Sequence, residues 1–282
     1  MKKRNILYIV IAIICVVAII AGVYYEVFKK KPKTVPVANE TEKTNEIVSD
    51  GQDSQEIVDE FNLLFDNAFH DQNYDTTSVK KITGHEEQEL IYKAYDFSDE
   101  KDEKYSVNIS LPVFNVDSED AGEFNKTTQK VFVNKADEIL TKSDKYTIYN
   151  VEYVGYLNDN ILSLVIKSTL KEGNNAQRII VQTYNYDIKT NKIITLNEVL
   201  NQKGINQKDV NKKIDTQVRK AAKDAEAIAS ATGQTVYERD INNAMYVTDN
   251  VNNFFVGKNG QIYIVYPYGN NNITSEIDII KV

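Results

Sequence analysis

The stretch KYTIYNVEYVGYLNDNILSLVIKSTLKEGNNAQRIIVQTYNYDIK, residues 145–189, decides the fold class of this chain. Aromatic and β-branched residues dominate it, which is typical of β-strands. Two clusters rich in Asn, Asp and Gly interrupt it at 158–160 and 173–175, where turns are therefore expected. The stretch predicts three consecutive strands, at Lys145–Leu157, Ile161–Lys171 and Ala176–Lys189.

Upstream of these strands, the sequence predicts a helix over residues 118–142 with Ser118 as its N-cap. Its buried stripe is expected to contain Phe124, Thr128, Val131, Phe132, Ala136, Ile139 and Leu140. Before the helix, Tyr105–Leu111 alternates like a strand, and Pro112 is expected to end it. Glu87–Phe97 is consistent with a strand or a short helix, and we favour a strand that forms a hairpin with Tyr105–Leu111.

Downstream, Thr195 and Glu198 have the spacing of a capping box and predict a short helix. A long helix is expected from about Asn206 to Thr232, with Gly233 as its stop signal. Its spine would be Val210, Ile214, Val218, Ala221, Ala225 and Ile228. The chain then predicts a closing hairpin with a two-residue turn at Asn259-Gly260, followed by a last strand at Glu276–Val282.

Together these elements predict an α+β fold in which one mostly antiparallel sheet packs with two long helices. An additional amphipathic helix is expected before this body, from Ser54 to near His70. Its apolar positions are Ile57, Val58, Phe61, Leu64, Phe65, Ala68 and Phe69, which lie on one helical face. This face would pack on the body or meet a partner or the membrane surface.

The N-terminal region has the properties of a membrane anchor. Ile6 to Tyr25 are twenty consecutive residues without a charged side chain, and a helix of about 20 residues spans the hydrocarbon core of a bilayer. A signal-peptide core is shorter, about 7–15 residues, so we favour an uncleaved anchor over a cleaved signal peptide. Contact with the lipid bilayer is thus expected through Ile6 to Tyr25. The C-terminal part would be extracytoplasmic and the protein a single-pass protein of the cell membrane.

The charge is distributed unevenly along the chain and indicates its organisation. The net charge is +6 over residues 1–33, −13 over residues 34–104 and −1 over residues 105–282. Residues 34–53 are polar and acidic, which favours a solvated stalk. We therefore expect a membrane anchor at 1–28, an acidic stalk at 29–53, an amphipathic helix and linker at 54–86, and an α+β domain at 87–282.

The sequence provides few residues for catalysis or metal binding. Cys15, His70 and His85 are its only cysteine and histidines, which excludes a Cys-based zinc site. Phosphate-binding Gly-rich loops and the Gly-x-Ser-x-Gly motif are absent. The formal charge of −8 argues against a nucleic-acid partner. We expect no cofactor and no metal, and a carboxylate pair of glycosidase type stays open as an alternative.

Tyrosine is abundant, with eighteen residues and no tryptophan. Tyrosine rings suit protein or sugar recognition because they offer a large contact area and a hydroxyl group, although tyrosine also fills half-buried sheet faces. The segment Tyr266-Pro267-Tyr268 leaves a predicted strand and enters an Asn-rich loop. These three residues are the candidate ligand-binding residues.

The body resembles a known family through a series of short motifs in a fixed order. They are Ile109-Ser-Leu-Pro112, Ile161-Leu-Ser163, Tyr184-Asn-Tyr-Asp187, Ile193-Ile-Thr195-Leu196, Phe254-Phe255 and Tyr266-Pro267-Tyr268. Over roughly residues 87–282 the chain is similar to the extracytoplasmic domain of RsiV-type anti-sigma factors. The same domain occurs in the non-catalytic part of PdaC-type peptidoglycan deacetylases.

The resemblance implies an α+β domain displayed outside a Gram-positive-type cell, where RsiV-type proteins bind lysozyme. Only five residues precede the hydrophobic segment, so inhibition of a sigma factor is not expected here. We expect a non-enzymatic binding or sensing protein of the cell envelope that recognises a lysozyme-like protein or a cell-wall glycan. The alternatives are a peptidoglycan-acting enzyme with a carboxylate pair, and a structural module that binds another membrane protein.

Overall fold

Nine strands form two sheets in the computed structural model, which describes residues 54–66, 90–268 and 276–282. The larger sheet has the order β1-β2-β3-β4-β5-β6, and only its β2–β3 pair is parallel. Its strands are β1 (Ile91–Lys101), β2 (Tyr105–Phe114), β3 (Thr147–Asn158), β4 (Ile161–Glu172), β5 (Arg178–Asp187) and β6 (Lys192–Ile193). The smaller, antiparallel sheet contains β7 (Phe254–Val256), β8 (Ile262–Tyr268) and β9 (Glu276–Lys281).

The described helices are α1 (Ser54–Asp66), α2 (Glu119–Thr128), α3 (Asn134–Lys142), α4 (Leu196–Gln202) and α5 (Gln207–Thr232). The fold is therefore α+β, as predicted, but the prediction of one sheet is wrong. The closing hairpin and the last strand form a sheet of their own. This sheet does not extend the six-stranded one because side chains hold the outer edge of β7, as described below.

The central stretch forms the strands that its sequence predicts. The β3–β4 hairpin pairs in register along its whole length, from Thr147–Glu172 to Asn158–Ile161. Asp159 and Gly173, in the two turns, have positive φ values of 52°. Asp and Gly adopt this left-handed conformation more readily than other residues, so the turn residues fix both hairpins.

Pro112 does not end its strand, contrary to the prediction, because β2 continues to Phe114. Pairing of β2 with β3 stops at Ile109, and the register with β1 shifts between Lys93 and Tyr95, opposite Pro112. Proline lacks the backbone N–H that a regular ladder needs, and it is tolerated at bulges and edges for this reason. The bulge therefore accommodates Pro112 inside the strand.

The predicted helix 118–142 is present but contains a π-helical turn at Gln129–Val133. Ser118 caps it by accepting a hydrogen bond from the Ala121 backbone N–H at 3.1 Å. The extra residue in the π turn rotates the following side chains. Val131 is consequently 42% exposed, contrary to the prediction, and Val133 is buried in its place.

The long helix α5 is buried over only half of its length. Asn206 caps its start, and Gly233 ends it with a left-handed φ of 70°. Val210, Ile214 and Val218 are buried, but the predicted spine residue Ile228 is 51% exposed. The periodicity correctly predicts the helix, but it cannot show where the neighbouring elements stop.

Three apolar clusters lie between the layers of the body and hold them together. Helices α2 and α3 cover one face of the six-stranded sheet, with Phe114, Phe132 and Tyr186 among the large buried side chains. The opposite face of β3, β4 and β5 packs against α1 and one face of the small sheet. The other face of the small sheet packs against α4 and α5. The small sheet is therefore covered on both sides.

Helix α1 packs on the body through its predicted apolar face. Ile57, Phe61 and Phe65 are buried beside Val154, Val165 and Ile279. Polar contacts flank this interface, since Glu60 bonds both the Lys281 Nζ at 2.8 Å and the Tyr263 hydroxyl at 3.2 Å. The apolar face of α1 is thus occupied by the body, and a partner could reach it only after the helix had moved away.

The Asn259-Gly260 turn adopts the predicted positive φ values of 60° and 76°. The connection is one residue longer than predicted, however. The Gly257 N–H donates to the Gln261 carbonyl at 2.8 Å, so Lys258 joins Asn259 and Gly260 in a three-residue loop. The last strand pairs with β8 over Tyr263–Lys281 to Tyr268–Glu276, as expected.

Several predicted features lie outside the described residues. These are the membrane segment, the acidic stalk, the end of the amphipathic helix near His70, and the linker up to residue 86. Among residues 54–66, 90–268 and 276–282, no helix combines the length and the apolar character that crossing a membrane requires. The membrane anchor and the extracytoplasmic location therefore stay predictions.

Candidate functional site

The three candidate ligand-binding residues lie on the last part of β8, and two of them point into the core. Tyr266 is 3% exposed and Tyr268 is 4% exposed, whereas Pro267 is half-buried. The two tyrosines alternate with Pro267 and therefore face α5 together with Ile262 and Ile264. A ligand could contact Pro267 without a rearrangement, but not the two rings. The binding role of these residues stays a prediction.

Tyr268 belongs to an aromatic and charged cluster with Tyr237, Arg239 and Tyr246. The Tyr237 ring stacks on the Tyr268 ring with 4.9 Å between their centroids, and the Arg239 guanidinium carbon lies 4.9 Å from the Tyr268 centroid. The Tyr246 and Tyr268 hydroxyls are 3.0 Å apart. Burial raises the pKa of Tyr268, and the nearby Asp278 carboxylate raises it further. Tyr268 is thus a neutral phenol at physiological pH.

Two carboxylates of β9 hold this cluster together. Arg239 donates from Nε and Nη2 to Asp278 at 2.8 and 2.9 Å, and from Nη2 to Glu276 at 2.9 Å. The Tyr237 backbone N–H donates to the other Glu276 oxygen at 3.2 Å. Burial alone would lower the pKa of Arg239, but its hydrogen bonds to Asp278 and the charges of Asp278 and Glu276 raise it.

This arrangement differs from a glycosidase pair. A glycosidase pair faces its substrate across a gap, whereas Glu276 and Asp278 both face one guanidinium. All four of their carboxylate oxygens accept a hydrogen bond from the segment Tyr237–Arg239. The pair therefore pins this irregular segment onto β9. The sequence did not indicate it, because Arg239 lies 37 residues before Glu276 in a stretch without regular structure.

Two side chains of the sequence motifs, those of Ser163 and Asn185, help to join the two sheets. On the edge of β7 that does not pair with β8, the backbone groups of Phe254 and Val256 form hydrogen bonds with side chains of the six-stranded sheet. Ser163 accepts from the Val256 N–H at 3.0 Å, and Asn185 donates to the Phe254 carbonyl at 2.7 Å. Asn158 donates to the Val256 carbonyl at 3.0 Å, and Thr183 accepts from the Phe254 N–H at 3.1 Å.

Ser163 and Asn185 also bond each other at 2.6 Å. Buried backbone groups must find hydrogen-bond partners, and here four side chains replace the strand that would otherwise pair with β7. These contacts give Ser163 and Asn185 a structural role, because both side chains bond the backbone of β7. They join the two sheets and leave no open strand edge at β7.

A polar cavity of about 180 Å³ lies at the C-terminal end of α3, lined by Lys135, Glu138, Lys142, Lys145 and Glu172 among others. Three of its charges are paired, since Lys135 bonds Glu172 at 3.3 Å and lies 3.5 Å from Glu138. Burial alone would raise the pKa of Glu172, but Lys135 and Arg178 lower it. The cavity therefore holds an internal ion-pair network.

The end of the β1–β2 hairpin carries unpaired charges. We call Asp99–Lys104 the acidic hairpin end; all six of its residues are exposed, and four of them are acidic. Asp99 accepts a hydrogen bond from the Tyr105 hydroxyl at 2.9 Å. Within the part of the chain that the structure describes, none of its four carboxylates forms an ion pair.

Metal ligands are not clustered in the described part of the chain, where no group of three His, Cys, Asp or Glu side chains could hold an ion. Cys15, His70 and His85 lie outside this part. The prediction that the protein uses no metal and no cofactor stays a prediction.

Comparison with known proteins finds similar crystal structures, among them two of DUF3298 family proteins. A DUF3298 family protein from Pseudomonas aeruginosa PAO1 shares 13% identity at a TM-score of 0.38, over 65% of this chain and 83% of its own. A DUF3298 family member from Bacteroides fragilis shares 12% identity at a TM-score of 0.29, over 63% of this chain and 79% of its own. No protein-family model matches the chain, and no curated protein sequence matches it. The relation to RsiV-type and PdaC-type proteins stays a prediction.

Proposed function

We propose that this protein is a non-enzymatic binding module of the cell envelope, anchored by Ile6 to Tyr25, whose partner is a basic, lysozyme-like protein. The acidic hairpin end is the observation that carries this proposal. It combines four exposed carboxylates with two lysines and has no ion-pair partner among the described residues. An exposed surface with a net negative charge attracts a cationic protein and raises its rate of association.

The sequence between the anchor and the body supports the same partner. Residues 34–53, which precede α1, have a net charge of −4, and the acidic hairpin end adds a net charge of −2 on the body. A charged linker extends by self-repulsion, so it would hold the body away from the membrane. Stalk and hairpin end would then present one sign of charge to an approaching protein.

The test is a calorimetric titration of the full-length protein, in mild detergent, with a cationic lysozyme at low and at physiological salt. We expect binding at both salt concentrations, weaker at the higher one because salt screens exposed charges. The variant Glu100→Lys/Asp102→Lys should weaken binding about tenfold or more, since two charge reversals on a steering surface act mainly on the association rate.

The matched control is Asp224→Lys/Glu226→Lys, which makes the same charge change on the exposed part of α5. This control should bind lysozyme almost like the unchanged protein. Equal losses in the two double variants would mean that only the total charge matters, and the hairpin end would then not be the site. Absence of binding at both salt concentrations would refute a lysozyme-like partner.

A further inference from the structure

The helical layer formed by α4 and α5 carries an excess of positive charge. Residues 189–223, which contain α4 and the first two thirds of α5, have nine lysine and arginine side chains and three carboxylates. Their net charge is +6, whereas the other residues of the chain together have a net charge of −14. Positive charge is therefore concentrated in one layer of an acidic protein.

Four of these side chains form a row along the solvent-exposed face of α5. We call Lys208, Lys212, Arg219 and Lys223 the basic row; all four are exposed. Steps of four, seven and four residues bring a helix back to within about 60° of the same direction, so the four side chains share one face. At about 1.5 Å per residue, the row is about 22 Å long.

The fold leaves most of the basic row without a counter-charge. Lys208, Lys212 and Lys223 form no ion pair with any of the described residues. Arg219 forms one, with Asp215 at 2.8 Å, and both side chains of this pair are half-exposed. The row therefore presents three unpaired positive charges and one solvent-exposed ion pair.

This arrangement works against the helix that carries it. Lys208 and Lys212, like Arg219 and Lys223, are like charges four positions apart, and such pairs destabilise a helix. Residues that break a local structural rule without a structural return are expected at functional sites. An anionic ligand would neutralise these charges, so the basic row is better explained by such a ligand than by the fold.

The shape and the composition of this surface indicate the class of ligand. Lysine binds phosphate groups as a point charge, and a straight row about 22 Å long on a convex helix suits a linear polymer better than a small anion. A single-stranded nucleic acid is disfavoured, because residues 187–236 contain no aromatic side chain on which its bases could stack. These features favour a polymer of phosphate groups without bases.

The position of α1 favours a polymer over a lipid surface. Helices α1 and α5 pack against opposite faces of the small sheet. The residues before α1, which include the predicted anchor, therefore join the body on the side away from α5. The basic row faces away from this attachment.

We propose that the basic row binds a linear phosphate polymer that carries no bases. This inference does not rest on lysozyme binding, because the acidic hairpin end and the basic row are different surfaces of opposite charge. The test is a calorimetric titration of the full-length protein, in an uncharged detergent, with inorganic polyphosphate at several salt concentrations. Neutralising four phosphates gives a slope of about −3 for log affinity against log salt concentration, so the affinity should fall about 50-fold between about 50 and 200 mM salt.

The decisive variant is Lys208→Gln/Lys212→Gln/Lys223→Gln. Glutamine removes the three unpaired charges and keeps a high helix propensity. The melting temperature should be unchanged or higher, because the like-charge pairs are gone. The affinity for polyphosphate should fall by about tenfold or more at low salt, and the salt slope should become shallower by about 2.

The matched control is Lys130→Gln/Lys142→Gln/Lys145→Gln, which removes the same charge elsewhere on the body. These lysines are exposed, and within the part of the chain that the structure describes none of them forms an ion pair. Lys130 and Lys142 belong to the helical layer on the far side of the six-stranded sheet, and Lys145 follows it. This control should keep the affinity and the salt slope of the unchanged protein.

Three results would overturn the proposal. One is that the unchanged protein does not bind polyphosphate even at low salt. Another is that the two triple variants lose the same affinity, because only the total charge would then matter. The third is that a single-stranded oligonucleotide with the same number of phosphates binds more tightly than polyphosphate, because the surface would then recognise a nucleic acid.

Discussion

At the scale of single residues, charged groups stabilise this protein where they tie irregular segments to strands. The Arg239 side chain is 6% exposed and binds two carboxylates of β9. Removing one partner of a buried ion pair leaves the other charge buried without compensation. This loss costs more free energy than the intact pair contributes to stability. The arginine is therefore a more sensitive position than the exposed ion pairs of α5.

We expect Arg239→Ala to lower the free energy of unfolding by about 3–5 kcal/mol, because it leaves Glu276 and Asp278 without their guanidinium. Urea denaturation measures this loss. Arg219→Ala is the control: its ion pair with Asp215 is half-exposed, so its loss should change the free energy of unfolding much less. Equal losses in the two variants would show that the Arg239 network does not stabilise the fold.

Asp187 provides a test of pH dependence. Burial alone would raise its pKa, but hydrogen bonds from Asn160 and from the backbone of Lys189 and Thr190 lower it below the ordinary value. A carboxyl group whose pKa is lowered by folding contributes stability above its unfolded pKa, about 3.9, and this contribution is lost as the pH falls through the folded pKa.

We therefore expect Asp187→Asn to flatten the decline of stability below about pH 4. The urea midpoint, measured from pH 6 down to pH 2, reports this change. Asp224→Asn, at an exposed site on α5, should keep the slope of the unchanged protein. A variant curve parallel to that of the unchanged protein would contradict the assigned role of Asp187.

At the scale of elements, α1 shows how one helix completes the core of a sheet. Phe61 is fully buried, 5.3 Å from the Phe65 ring centroid and 6.1 Å from that of Phe255. Lys167 of β4 lies 4.3 Å from the Phe65 ring and bonds Glu152 at 2.8 Å. The helix thus covers both apolar residues and a buried lysine.

We expect Phe61→Ala to lower the free energy of unfolding by about 3–5 kcal/mol, because it leaves a cavity between α1 and the small sheet. Leu63→Ala lies on the same helix but changes a side chain that is 59% exposed, so it should cost less than about 0.5 kcal/mol. Thermal or urea unfolding distinguishes the two. Similar small effects would mean that α1 is not stably docked.

The elements also show how far the sequence predicts this fold. Local signals such as the capping box at Thr195 and the stop at Gly233 predict element ends well, because their causes lie within a few residues. The separation into two sheets was missed because it depends on Ser163 and Asn185, which meet β7 about 70–90 residues later. The burial of Tyr266 and Tyr268 was missed because the rings that cover them, such as Tyr246, which lies 22 positions before Tyr268, belong to a segment without long helices or strands.

At the scale of the whole molecule, the two sheets are parts of one cooperative structure. The cluster around Phe255 contains residues of α1, of the six-stranded sheet and of the small sheet, and residues 51–282 form one compact unit. Elements that share a core are expected to unfold together.

We expect a single unfolding transition of the body. Far-UV circular dichroism reports both sheets, and the intrinsic fluorescence of the eighteen tyrosines, in a protein without tryptophan, reports their packing. The two urea curves should coincide. Two urea curves that do not coincide would show that the body does not unfold in one cooperative transition.

The contact between Glu60 and Lys281 has a consequence for synthesis. The two residues are 221 positions apart, and ribosomes add roughly 5–20 residues per second. Helix α1 therefore leaves the ribosome roughly 10–40 seconds before the strand that completes its binding surface. During this interval its phenylalanines have no native partner on β9, and chaperones can bind them first.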